Sequence, residues 1–135
     1  MIRKYFRQIE SSLSVASWVR SVQLLRYDIL EVDEEEILIY RFKIRMPDNS
    51  LFEMRERVIS KKDGLIETTT YSFHWQNTDN EMVKRWDNAP HHPEIKTYPH
   101  HVHVGKENHI FPSLPLTGLD VIALMNEETS ELSEQ

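Results

Sequence analysis

The chain contains no cysteine. Disulfides, thiolate zinc sites and a cysteine nucleophile are excluded, and the composition fits a reducing cytoplasm. No apolar run approaches the ~20 residues of a membrane-spanning helix, so no membrane role is expected. The opening MIRKYFRQIESSL mixes charged and apolar residues and does not read as a secretory signal. No internal repeat and no linker divides the 135 residues. The reading is one globular domain over residues 1–126, long enough to bury a core. Residues 127–135, EETSELSEQ, hold few apolar groups and are read as an acidic, disordered tail.

The net charge of −6 is unevenly placed. Asp33, Glu34, Glu35 and Glu36 carry −4 together, and Glu127, Glu128, Glu131 and Glu134 carry another −4. With those eight acids set aside, the remaining chain stands at +2 with histidines neutral. An acidic total therefore leaves room for a locally basic site.

Ile2, Tyr5, Phe6, Ile9 and Leu13 recur at helical spacing and predict an amphipathic first helix. From about Trp18 the period becomes two. Strands are expected near 19–31, 37–46, 51–61, 65–76 and 81–87. Thr117 is placed as the cap of a last helix, with Leu119, Ile122, Ala123 and Met125 facing inward and Gly118 weakening its start. The fold class is α+β: a curved antiparallel meander of about five strands, a helix from each end on its apolar face, and a His/Pro-rich loop region.

Turn chemistry supplies a register. Pro47-Asp48-Asn49 suits a three-residue hairpin loop and sets Ile44 opposite Phe52 and Phe42 opposite Met54. Asp63-Gly64 reads as a type I′ turn pairing Lys62 with Leu65, hence Met54 with Phe73 and Phe52 with Trp75. The QNTDNE loop is read as pairing Gln76 with Glu81. On the opposite face one row then runs Arg41, Arg55, Ser72, Arg85, with Arg57 in the next. Like charges directly opposite one another destabilise a sheet, so the row is read as a phosphate or RNA site. Asp28 is expected to face Arg41. The competing account is a plain solvated face.

Five of the seven histidines fall between residues 91 and 103: His91, His92, His100, His101 and His103. Prolines at 90, 93 and 99 restrict the same stretch. Three readings compete. As metal ligands, Asp87, His91, His101 and His103 would hold a divalent transition ion, with His92 and Glu94 also at hand. As acid–base groups, His74, His91, His92, His100, His101 and His103 would move protons, with Asp87 orienting an imidazole and Glu53 orienting His74. As scaffolding, they would tie down an irregular loop. The arginine row favours the second, metal-independent reading, because it accounts for a phosphate.

YSFHWQ at 71–76, RWDNAPHHPE at 85–94 and TYPHHVHVG at 97–105 resemble the TumE toxin family of prokaryotic toxin–antitoxin systems. The resemblance covers nearly the whole chain. Its motif residues are His74, Asp87, Asn88, Pro90, His91, His92, Pro93, Pro99, His100, His101 and His103. Trp75 stands where the family more often has tyrosine. The resemblance implies a toxin role and a cognate antitoxin, usually a small helix-turn-helix protein. It implies no particular reaction. Resemblance and residues together give the expectation of a cytoplasmic toxin, the role implied by the resemblance, that cleaves RNA without a cofactor, as the residues suggest, with a homo-oligomer possible. The alternatives are a metal-binding module, a metal-dependent nuclease and a non-catalytic interaction protein.

Overall fold

The computed structural model describes residues 1–133. Helix α1 (Ile2–Val15) leads into seven strands: β1 (Ser21–Val32), β2 (Glu35–Arg45), β3 (Leu51–Ser60), β4 (Ile66–Gln76), β5 (Met82–Asp87), β6 (His101–Val104) and β7 (Ile110–Pro112). Helix α2 (Gly118–Ser133) closes the described chain. The strands form one open antiparallel sheet in chain order, β1 to β7. The α+β class and the two terminal helices are as expected. Two strands are additional: β6 lies within the segment expected to be a His/Pro-rich loop, and β7 follows it.

Period-two alternation sends Tyr40, Phe42, Ile44, Phe52, Met54, Val58, Phe73, Trp75 and Trp86 to one face, where they are buried. Helix α1 covers that face with all five residues read from its spacing. Trp18 donates its indole N–H to the Ile122 carbonyl at 3.1 Å and ties the start of the sheet to α2. Each large apolar side chain taken from water contributes ~1.5–3 kcal/mol.

Helix α2 begins where Thr117 and Asp120 cap one another, Thr117 Oγ1 accepting from Asp120 N at 3.1 Å and Asp120 Oδ2 from Thr117 N at 2.9 Å. Its inward residues are Val121, Ile122 and Met125, whereas Ala123 is exposed. The helix continues to Ser133, and Lys84 Nζ holds Glu128 at 2.9 Å. Residues 127–133 are thus helical where a disordered tail was expected; Glu134 and Gln135 lie outside the described residues.

The turns explain where the register holds. Asn49 has φ 71° and Met46 pairs with Ser50, as the sequence indicated. Asp33 and Glu34 have φ 51° and 69°, so the acidic run forms the two-residue β1–β2 turn. The β3–β4 loop is Lys62-Asp63-Gly64, one residue longer than read, with Gly64 at φ 87° and Lys61 N donating to Leu65 O at 2.8 Å. A bulge at Thr69 restores the lost step, and Phe52 still faces Trp75. The β4–β5 loop is also one longer, with Asn80 at φ 61°, and a bulge at Val83 adds a second step. Arg85 therefore stands opposite His74, and Asp87 takes the place expected for Arg85 opposite Ser72. A third bulge, at Leu25, puts Arg26 opposite Arg41; Asp28 instead accepts from Arg26 Nε at 2.6 Å.

One carboxylate lies inside the core. Glu56 is 2 % exposed. It accepts from Tyr5 Oη at 2.7 Å, Tyr40 Oη at 2.6 Å and Thr68 Oγ1 at 2.6 Å. Gly118 lies against it. A Cβ there would collide with Tyr40 Oη and stand 2.5 Å from Glu56 Oε1, so only glycine lets α2 start this close. Burial, then the charge of Glu56, raises the pKa of Tyr5 and of Tyr40. Burial also pushes Tyr71 up to about 12. The folded state thus holds these phenolic protons more tightly than the unfolded chain. Stability should be intact below pH ~10 and fall above it, by up to ~1.4 kcal/mol per pH unit for each tyrosine. Urea midpoints at pH 8, 10 and 11 test this. The fall should be shallower in Tyr5→Phe, and equal midpoints at all three values would contradict it.

Candidate functional site

The sheet face opposite the helices carries a cleft of about 1010 Å³. Its floor is β2 to β6, its walls Leu25 and Arg26 on one side and residues 88–92 on the other. The wall is fixed by Asn88, which continues the ladder beyond β5. Its Oδ1 accepts from Tyr71 N at 3.0 Å and its Nδ2 donates to Thr69 O at 3.0 Å. The histidine segment thereby lies beside the arginine face, as its position in the chain suggested.

The four arginines expected in the anion site, Arg41, Arg55, Arg57 and Arg85, line this cleft together with Arg26, but they differ in compensation. Arg41 donates to Glu53 at 2.9 Å, and Glu53 makes no hydrogen bond to His74, its cross-strand neighbour, among the described residues. Arg85 is held by Asp87 at 3.1 Å and by both oxygens of Glu107 at 2.6 and 2.9 Å. Burial opposes the Arg85 cation, but the two carboxylates prevail and raise its pKa. The hydrogen bond from Arg85 in turn holds Glu107 below the usual carboxylate range. Among the described residues the Arg57 guanidinium donates to Thr69 Oγ1 alone, at 2.8 Å. Arg55 is exposed and has no carboxylate partner among the described residues. Arg41 Nε and His74 Nε2 are buried atoms with no hydrogen-bond partner among the described residues, an arrangement that native proteins rarely leave unfilled.

The histidines separate into three groups. His101 and His103 alternate on β6, so both side chains enter the floor, each 2 % exposed. His101 Nδ1 donates to Pro99 O and His103 Nδ1 to Glu107 O, both at 2.9 Å. Those bonds fix the tautomers and turn both Nε2 atoms toward Asp87, at 2.9 Å for His101 and 3.6 Å for His103. Burial, with the Arg85 charge adding to it, lowers the pKa of His103. His92 completes a triangle of rings with centroids 5.1 Å from His101 and 5.8 Å from His103. Asp87 is anchored by Ala89 N at 3.0 Å and Arg85 Nε at 3.1 Å.

His91 and His74 form the second group: both line the cleft outside that triangle. His74 faces Glu53 and Arg85 in the ladder, and burial, then Arg85, lowers its pKa. His100 stands apart. Its Nδ1 meets Tyr71 Oη at 2.9 Å, its ring stacks on Tyr71, and it lies outside the cleft lining that holds the other six residues expected in the catalytic set. His109, left out of that set, is exposed. Asn88 and Glu107 were missed as site residues. Asn88 had a signal, its place in the DNAPHHPE motif. Glu107 had none, since the hairpin that brings it to Arg85 was read as loop.

Fold and site together describe a small α+β protein whose sheet carries a basic, histidine-floored cleft on the face away from its helices. The family model described as toxin TumE matches residues 13–129. The chain belongs to the TumE toxin family and is a toxin of a toxin–antitoxin system, so it has a cognate antitoxin. No curated protein and no solved structure matches it. No helix among the described residues is long and apolar enough to cross a membrane.

Proposed function

We propose that the toxin arrests growth by binding RNA in this cleft and cleaving its phosphodiester backbone. One observation carries the reading. Arg55 and Arg57, guanidinium groups without carboxylate partners among the described residues, share a single cleft with imidazoles. In cleavage of this kind the 2′-hydroxyl attacks the adjacent phosphorus. Its proton passes to a neutral imidazole, and the 5′-oxygen leaves with a proton from an imidazolium. His91 and His74 suit the proton work, because they line the cleft outside the fixed triangle. The arginines stabilise the charge on the pentacovalent phosphorus. A small helix-turn-helix antitoxin that covers the cleft belongs to the same proposal.

Arg55→Ala should weaken binding of RNA and lower the salt slope of log K by about one, because one phosphate contact is lost. Fluorescence anisotropy with a labelled RNA at two salt concentrations measures it. Folding should be unchanged, since Arg55 has no carboxylate to leave behind. If the variant binds as tightly as the parent at both concentrations, the arginines are only a wet surface. RNA that is bound but not cut would favour a non-catalytic interaction protein.

A further inference from the structure

We infer that His92, His101 and His103, with Asp87, form a binding site for one divalent transition-metal ion. The inference rests on donor geometry and not on the RNA reading. One nitrogen from each imidazole is available, and the three lie within 4.8 Å of one another. Two ligands on one ion, each about 2.0–2.1 Å from it, stand about 2.9–3.4 Å apart. The 2.9 Å between His101 Nε2 and Asp87 Oδ1 falls in that range, and the 3.6 Å between His103 Nε2 and Asp87 Oδ2 is close to it. The three nitrogens, up to 4.8 Å apart, have to draw together to share one ion, and His92 lies on a loop rather than on a strand.

The surroundings point the same way. Metal-bound histidines almost always give their second N–H to a carbonyl or carboxylate, which fixes the tautomer and the ring plane. Pro99 O and Glu107 O do this for His101 and His103. Without an ion, Asp87 stands at hydrogen-bond distance from His101 alone of the three imidazoles, and His92 has beside it the exposed Glu94, at 3.4 Å. Arg85 competes at two points: its Nη2 lies 3.1 Å from His103 Nε2, and its Nε donates to Asp87 Oδ2 at 3.1 Å, an oxygen that keeps a second lone pair for an ion. Arg85 retains both oxygens of Glu107 when it gives up the contact to His103.

Three imidazoles and one carboxylate suit zinc, manganese, iron or nickel. The ion would sit at the histidine end of the cleft, facing the space occupied by a phosphate held on Arg55 and Arg57. There it would act as a Lewis acid on a phosphoryl oxygen. His92 takes the place that the sequence reading gave to His91.

Calorimetric titration of the untagged, full-length toxin with zinc chloride tests the site, and cobalt chloride supplies visible d–d absorption as a ligand-field signature. The parent and His109→Ala should each take up one equivalent. His92→Ala should bind at least about a hundredfold more weakly and lose the cobalt band. His92 sits on a half-buried loop position, so its loss spares the fold; His101→Gln, checked by circular dichroism, is the second probe. Absence of stoichiometric uptake by the parent, or parent-like affinity in His92→Ala, would overturn the site and leave an imidazolium–carboxylate network. RNA binding and cleavage are measured separately, so either reading can fail while the other stands.

Discussion

Glu56→Ala should destabilise the toxin by at least about 3 kcal/mol. The substitution leaves the hydroxyls of Tyr5, Tyr40 and Thr68 without their acceptor in the core. Each buried donor left unsatisfied costs ~1–3 kcal/mol, and the lost side-chain volume adds to that. Against a total stability of ~5–15 kcal/mol the loss is large. Glu56→Gln should cost less, because an amide keeps one acceptor and its NH₂ can donate to a rotated hydroxyl. Urea unfolding followed by circular dichroism ranks the three proteins. A cost below ~1 kcal/mol for Glu56→Ala would mean that the hydroxyls find other partners and that this carboxylate does not hold α1 and β4 to β2 and β3.

The second large effect concerns toxicity. His91→Ala and His92→Ala should each abolish growth arrest when expressed without antitoxin. His109→Ala should arrest growth as the parent does. Loss of a positioned proton carrier costs ~10²–10⁴ in rate, and loss of a metal ligand costs more than its second-sphere partner would. Both substituted positions lie on the loop wall of the cleft, so circular dichroism should show folded protein. Two folded variants that still arrest growth would remove the cleft from the toxic mechanism.

The sequence was legible where chemistry is local. Asn49 accepts a left-handed conformation, and the loop it ends has the length its residues suggest. The helix spacing from Ile2 to Leu13 names every buried α1 side chain. Faces were more legible than partners, for a geometric reason. Side chains alternate with period two, so a register error of two residues keeps each residue on its face but changes its neighbour. That is how Arg85 remained on the polar face while its partner proved to be His74 rather than Ser72. The bulges at Leu25, Thr69 and Val83 were invisible, because a bulge depends on tertiary fit. At Thr69 the bulge cancelled a turn misread by one residue, so correct pairings followed from two errors.

The candidate site was legible as an inventory but not as an arrangement. All four arginines and six of the seven residues assigned to catalysis meet in one cleft; His100 does not. Prolines at 90, 93 and 99 made the segment read as loop. Strand β6 begins only at His101, and its four residues are too short to announce a period. Which imidazoles share a centre was therefore out of reach. The grouping depends on Pro99 O and Glu107 O turning two rings toward Asp87, and carbonyl directions are not written in residue types.

The strands lie in the sheet in the order in which the ribosome makes them. Each new strand adds at the edge left by the one before, with no need to insert between strands already paired. The stretch of floor that carries Arg41, Arg55 and Arg57 can therefore pair before the imidazole strand has left the ribosome. Histidines 101 and 103 arrive late, and Val121, Ile122 and Met125 arrive later still to close the core. A nascent chain that stalls early exposes a sheet lacking both its reactive end and its lid. The core beneath the cleft is complete only once Met125 has been made, so a chain that stops before it lacks the packed face on which the cleft rests.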